Sequence, residues 1–238
     1  MSIQRPAPIQ IFHRSNKMKC PYIDGEVEQQ LFTEVSGEWA QYQFNRMSQA
    51  GFRRSHNIIY RPTCPSCNAC KSVRINVNNF DWKKGWKRIL RKNSDLTSEI
   101  KGINVTDEQY ALFKKYVTSR HHDGEMADMS RYDFENMIKL SPVDTRIIEY
   151  RDKDNILKAA CLTDILPDGW SAVYSFFDSD LRERSFGSFI ILDMIQKMEN
   201  EYLPYVYLGY WIKDSAKMAY KERFTPLEYY DKGHWNKL

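Results

Sequence analysis

Five segments of this chain carry residue types whose spacing suits chemistry. Three cysteines fall in one short run, Cys64-Pro-Ser-Cys67-Asn-Ala-Cys70. Thiolates at i, i+3 spacing can converge on one ion, and Cys20 can supply a fourth corner for zinc or an iron–sulfur cluster. The second CxxC pair of a zinc ribbon is missing, so packed thiols are the alternative, and Cys161, in an apolar run, reads as core. Gly51-Phe-Arg53-Arg54-Ser55 places two arginines side by side. Adjacent side chains of an extended segment point apart, so one can pair internally while the other presents its fork to a carboxylate or phosphate.

Ser119-Arg120-His121-His122-Asp123-Gly124 offers imidazoles that titrate near neutrality or donate to a substrate carboxylate. The run Leu181-Arg-Glu-Arg184-Ser-Phe-Gly187-Ser-Phe189 reads as a loop opening a helix, where backbone N–H groups attract phosphate or a developing oxyanion. It approximates a coenzyme A loop of the form Arg/Gln-x-x-Gly-x-Gly/Ala but ends in Phe189, which counts against coenzyme A. Lastly, Trp82–Lys92 holds six cations in eleven residues: Lys83, Lys84, Lys87, Arg88, Arg91 and Lys92. With its tryptophans it suits a phosphate backbone and exposed bases, or else a solvated helix face. Tyr210, Trp211, Lys217 and Lys221 repeat the aromatic-plus-cation character near the C-terminus.

The elements that must position these groups follow from periodicity. Helices are expected over 38–50, 82–92, 110–120 and 186–203, and strands over 57–60, 73–77, 146–150, 157–165, 170–177 and 205–212. The cysteines fall in the loop between the first two strands, and Pro167-Asp168-Gly169 turns one strand into the next. In strand 73–77, Val73, Ile75 and Val77 should face inward and Arg74 and Asn76 outward. Antiparallel strands, a loop ending in Gly187, a long helix and one more strand predict an α+β fold: a small cysteine-bearing N-terminal lobe (1–102) packed on a GNAT-like acyltransferase lobe (103–238) with a mixed, largely antiparallel sheet.

The 238 residues suffice for a substantial core, and no apolar run is long enough to span a membrane. A charged N-terminus and the clustered cysteines predict a cytoplasmic protein with reduced thiols. The net charge of +4 is unevenly divided: residues 1–100 hold 16 Lys and Arg against 8 Asp and Glu, the remainder 19 against 23. A polyanion surface is therefore expected in the first part of the chain.

The order and spelling of the segments resemble the bacterial aspartate/glutamate leucyltransferases of the arginyl-tRNA-protein transferase family, across about Cys20 to Trp235. The matching pieces are Cys20-Pro-Tyr-Ile, Gly51-Phe-Arg-Arg-Ser, Tyr60-Arg-Pro-Thr-Cys64-x-x-Cys67-x-Ala-Cys70, Asn93-Ser-Asp-Leu96, Arg120-His121-x-Asp-Gly124-x-Met126, Phe177-Asp178, Arg184-Ser-Phe-Gly187, and Tyr207-Leu-Gly-Tyr-Trp-Ile with Lys217-Met-x-Tyr-Lys221. The resemblance implies transfer of leucine from leucyl-tRNA to proteins beginning with Asp or Glu, creating an N-degron. Charged tRNA would be the co-substrate, and no cofactor would be required beyond a possible zinc or iron–sulfur cluster on the cysteines.

Under it, Arg53, Arg54, His121 and Arg184 look like the acceptor-binding and active-site set. Chemistry adds Gly187 to face the ester and Asp178 to hold the acceptor ammonium or receive its proton. An arginyl donor, a coenzyme A-dependent N-acetyltransferase and a non-catalytic zinc-dependent RNA-binding module are the alternative readings.

Overall fold

The computed structural model describes residues 9–120, 125–213 and 215–238. In chain order its strands and α-helices are β1 (His13–Arg14), β2 (Met18–Lys19), β3 (Val27–Glu28), β4 (Gln30–Glu34), α1 (Ala40–Gln49), β5 (Arg53–Ser55), β6 (Ile58–Pro62), β7 (Lys71–Asn76), α2 (Lys84–Lys92), β8 (Thr97–Lys101), α3 (Asp107–Arg120), α4 (Arg131–Lys139), β9 (Thr145–Arg151), β10 (Leu157–Leu166), β11 (Gly169–Phe177), α5 (Phe186–Asn200), β12 (Tyr205–Trp211), β13 (Leu227–Asp231) and β14 (His234–Lys237).

Eight strands form the main sheet in the order β14-β13-β7-β12-β11-β10-β9-β8. Every neighbouring pair is antiparallel except β11 and β12, which run parallel because the chain crosses over through α5 between them. Helices α2 and α5 cover one face around Trp86, Phe189, Ile190, Met194 and Phe224. Helices α3 and α4 cover the other around Leu112, Phe113, Phe134, Ile138 and Phe176. Eight of the fifteen α5 residues are buried, as expected for a crossover helix lying on a sheet. The α3 start is a reciprocal cap: Gln109 N–H donates to Thr106 Oγ1 at 3.2 Å and Thr106 N–H to Gln109 Oε1 at 3.0 Å.

A smaller sheet, β1-β4-β6-β5, holds the two adjacent arginines on its edge strand. Its core of Val35, Ala40, Phe44, Phe52 and Ile59 is continuous with Val143, Leu166 and Tyr207 of the main layer. Residue 102 does not separate two sheets, since β7 pairs with both β12 and β13 and β8 pairs with β9. Strand β7 is also covered on both faces, since Ser72, Val73, Arg74 and Ile75 are buried in succession. Arg74, expected outward, is 8% exposed, its guanidinium 3.4 Å from the Tyr205 ring centroid and 4.2 Å from that of Trp235, with Glu228 bonded to Nε at 2.7 Å. Trp235 comes from the β13–β14 hairpin, which strand periodicity did not bring out.

Candidate functional site

The parallel pair β11 and β12 is bonded only at its start: Gly169, Trp170 and Ser171 face Tyr205, Val206 and Tyr207. Gly169 permits this flush start, at φ +154°, where an added Cβ would lie 1.9 Å from the Tyr205 carbonyl oxygen. Beyond Ser171 and Tyr207 the ladder stops, and residues 172–175 and 209–210 are half-buried although they lie mid-sheet. The result is a cleft between two strands at their carboxyl ends, the place where sheets with crossover helices hold ligands.

On the β11 lip lie Phe177, Asp178 and the first turn of α5. An ideal Cβ on Gly187 would be 3.5 Å from the Phe177 ring, so the α5 N-terminus abuts the strand end. The first N–H groups of a helix lack intrahelical acceptors and favour developing negative charge. Burial acts to raise the Asp178 carboxyl pKa, but the Lys115 ammonium at 2.5 Å and the Asp180 N–H bring it below its ordinary value. Asp178 therefore stays ionised and is a weak base. Tyr116 packs on Phe177 at 4.7 Å, Arg120 lies 5.6 Å from the same ring, and the Tyr174 hydroxyl is buried with no hydrogen-bond partner among the described residues.

On the β12 lip lie Arg53, Tyr210 and Lys221. Arg53 is 6% exposed and gives its Nη2 to the Val73 carbonyl at 2.9 Å and the Gly209 carbonyl at 3.4 Å, while Nε and Nη1 are buried with no partner among the described residues. Burial lowers its pKa; the charged or titratable groups that act on it are Tyr210, Tyr207, Tyr60 and Arg74, with no carboxylate among them. Lys221 is 7% exposed and donates to the Tyr210 carbonyl. Burial, then the Arg53 charge, pull its pKa down to about 7. The Tyr220 ring, on the same turn, lies 5.9 Å from the Lys221 amine.

Arg54 points the opposite way and is fully engaged. Its Nε and Nη2 form a bidentate pair with Asp164 at 2.7 and 2.6 Å, and Nη1 donates to the His56 carbonyl at 2.6 Å. Thr145 Oγ1 donates to the same carboxylate at 2.6 Å. Arg54 thus has no free fork for an acceptor, and its assignment to acceptor binding gives way to a structural one. His121 and Gly124 lie outside the described residues.

Arg184 is likewise a tie rather than an open cation. It donates from Nε to Asn93 Oδ1 at 3.0 Å and pairs with both Asp95 oxygens, while Asn93 Nδ2 donates back to the Arg184 carbonyl at 2.9 Å. Lys92 Nζ adds a bond to the Glu183 carbonyl at 3.1 Å. The loop leading into α5 is thereby fastened to the end of α2.

Helix α2 keeps Lys83, Lys84, Lys87, Arg88, Arg91 and Lys92 exposed along the outside. Its tryptophans are anchors and not base platforms. Trp86 is 3% exposed and stacks on Phe224 at 4.7 Å, and Trp82 Nε1 donates to Glu199 at 2.8 Å. Of the C-terminal set, Lys217 is exposed, Tyr210 is half-buried with its hydroxyl donating to the Tyr60 carbonyl at 2.9 Å, and Trp211 is buried with Nε1 donating to Glu222 at 3.0 Å. Trp211 and Lys221 are withdrawn from any tRNA surface by their burial.

The four cysteines of the N-terminal part neighbour one another behind Tyr60 and Tyr210. Burial and then Cys64, Cys20 and Cys67 push the Cys70 thiol up to about 12. A four-thiol donor set suits zinc or iron–sulfur chemistry, yet Cys64 Sγ faces the Gln29 carbonyl at 3.8 Å. Among the described residues no group of three metal-ligating side chains is arranged to hold an ion. The thiols do not fit a metal in this arrangement.

A basic helix is thus fastened to a helix N-terminus beside the split in the sheet, and comparison with known proteins gives the class. The family model "Arginine-tRNA-protein transferase, C terminus" matches residues 108–231 and its N-terminal counterpart residues 18–88.

The chain belongs to the arginine-tRNA-protein transferase family. Within it, the chain is similar to aspartate/glutamate leucyltransferases: 47% identical to that of Granulibacter bethesdensis over 96% of this chain and 86% of the relative, and 44% identical to that of Gluconacetobacter diazotrophicus over 100% and 92%. Among solved structures, FemX superposes with a TM-score of 0.44 at 9% identity, over 87% of this chain and 81% of that one. No helix among the described residues is long and apolar enough to cross a membrane.

Proposed function

We propose that the protein transfers leucine from leucyl-tRNA to the N-terminal amine of proteins beginning with Asp or Glu, the residue so added serving as an N-degron in the cytoplasm. The observation that carries the reading is Arg53, a buried guanidinium packed on β7 and β12 whose Nε and Nη1 have no partner among the described residues. Burying an unpaired charge is costly, and a carboxylate arriving from outside relieves the cost.

In this reading the main-sheet lobe is GNAT-like in use, with the cleft between β11 and β12 receiving both substrates. The tRNA backbone lies along the exposed cations of α2. The Arg184–Asn93–Asp95 tie sets the distance from that helix to the first turn of α5, so Arg184 is a positioning residue. The aminoacyl ester reaches that turn, where the N–H groups near Gly187 face the oxygen that gains charge. Across the cleft, Arg53 takes the acceptor's side-chain carboxylate, and ionised Asp178 attracts its ammonium group.

A free α-amine has a pKa of about 7.7–8.0, so a fair fraction is neutral at cellular pH. That amine attacks the ester carbonyl. A C–N bond forms, the C–O bond to the ribose breaks, and the ribose oxygen takes up the proton that the amine loses. An ester is already activated, so alignment of the two reactants supplies most of what is needed.

Incubating the purified protein with leucyl-tRNA or arginyl-tRNA and with peptides beginning with Asp, Glu, Asn or Gln tests the proposal. Leucine should appear only on the acidic pair. Equal transfer to Asn-start peptides, or arginine as the preferred donor, would overturn it.

A further inference from the structure

Lys221 is a second cation at the β12 lip, and the fold gives it no obvious structural reason to be charged. It enters from the turn 219–223, is 7% exposed, and places its amine against the Tyr210 carbonyl. One residue back along β12, Arg53 reaches the Gly209 carbonyl at 3.4 Å. Gly209 itself stands at φ +78°, in a break of the β7–β12 register, and an ideal Cβ there would be 4.0 Å from the Lys221 amine. Two buried cations therefore donate to consecutive carbonyls of one bulged strand.

The groups that face this amine from each packed element account for its state. Arg53 comes from β5, and Tyr60 and Tyr207 stand around that guanidinium from β6 and β12. The Tyr220 ring, on the same turn, is 5.9 Å away. Glu222, next in sequence, is turned to Trp211 Nε1. No carboxylate among the described residues pairs with Lys221. Repulsion from Arg53 and loss of water both favour the neutral amine.

We infer that Lys221 and Arg53 together form the pocket for the acceptor's acidic side chain, and that Lys221 takes up a proton when that carboxylate enters. This rests on the proposed acceptor site and adds a residue and a proton to it. Among the described residues the charge that acts on Lys221 is the repulsive one of Arg53, and an arriving carboxylate adds an attraction that favours the protonated amine. The amine is then protonated in the complex over a pH range in which it is neutral in the free protein.

The sign of the effect follows. Below the free value of about 7 the amine is already charged and acceptor affinity is flat. As pH rises above it, binding must import a proton and affinity falls, by up to about tenfold per pH unit. An asparagine side chain carries no charge and imports none.

The test is titration calorimetry of the full chain, without tRNA, with peptides beginning with Asp or Asn, at pH 8 in phosphate and in Tris. The two buffers differ in ionisation heat, so the difference counts protons. The Asp peptide should bind with uptake of about one proton more than the Asn peptide, whose value reports the α-amine alone. In Lys221→Arg, whose cation stays protonated, the excess uptake should vanish and the Asp peptide's affinity should fall between pH 7 and 9 no more steeply than the Asn peptide's. If that variant fails to fold, the difference between the Asp and Asn peptides in the pH dependence of wild-type affinity decides. Asp-peptide binding with no excess uptake, or uptake that persists in Lys221→Arg, would overturn the role of Lys221 and leave the acceptor reading standing. No preference for Asp over Asn in binding or in leucine transfer would bring down both.

Discussion

Arg53 and Arg54 are neighbours on one edge strand, and each is 6% exposed, yet their surroundings are opposite. Arg54 faces the interior between the small sheet and β10, where a bidentate carboxylate, a threonine and a backbone carbonyl complete its shell. Arg53 packs on β7 and β12 with tyrosines around it, and two of its nitrogens are buried with no partner among the described residues. A buried charge with every donor occupied is part of the architecture. A buried charge held open by well-packed surroundings is stabilised only when something else arrives, and the expense falls on the fold until then.

The sharpest way to break the comparison is Arg54→Met, which strands the Asp164 carboxylate. It should cost about 3–5 kcal/mol of stability, read as a lower denaturation midpoint, with much of the loss recovered in Arg54→Met/Asp164→Leu. Arg53→Gln should do the reverse. Thermal stability should hold or rise, while kcat/KM for an Asp-start peptide falls about 100-fold or more, in line with the roughly 2–5 kcal/mol lost when one partner of a buried charge pair is removed. A large loss of stability with activity intact would exchange the two roles.

Lys221→Met sharpens the contrast through pH. The folded protein holds this amine near 7 against 10.5 in an ordinary lysine. Because the folded value is the lower one, the wild type gains stability as pH rises from about 7 toward 10.5 and is most penalised at and below neutrality. The variant should lose that slope and be about 1–3 kcal/mol more stable at pH 7. A parallel pair of stability profiles would mean that Lys221 is solvated.

The smallest effect on the fold is expected on α2. Replacing Lys84, Lys87 and Arg88 by Gln should change stability by no more than about 0.5 kcal/mol. The same variant should flatten the salt dependence of tRNA binding by roughly 0.7–0.9 log unit for each phosphate that the helix no longer neutralises. An unchanged slope would return the helix to a solvated face.

Much of the fold was legible because its signals are local. The apolar density of 186–200, the alternation and turn at 157–177 and the Thr106 start signal each depend on residues within a few positions of one another. Arg74 was misread because its two aromatic neighbours come from β12 and from the C-terminal hairpin, and alternation cannot show that a strand is covered on both sides. The tryptophans of 82–92 were misread for a related reason: composition shows that they accompany cations, not that Phe224 and Glu199 hold them inward. In the site, the Lys217-Met-x-Tyr-Lys221 motif was read as tRNA-binding and spans the lysine now proposed for the acceptor pocket. Which lysine is exposed and which is buried depended on the turn at 219–223 and its packing on β12.

The amino-acid order by itself determined the family, the basic helix, the cysteine cluster and the presence of an arginine pair, since these are matters of residue type and spacing. The tertiary structure alone decided which arginine is satisfied and which has buried nitrogens without a partner among the described residues, that Arg184 fastens α2 to α5, and that Lys221 and Arg53 are buried against neighbouring carbonyls of β12. Those outcomes turn on solvation and on partners more than eighty residues away in the chain, and the free energy of a charge is set by what surrounds it and not by its place in the sequence.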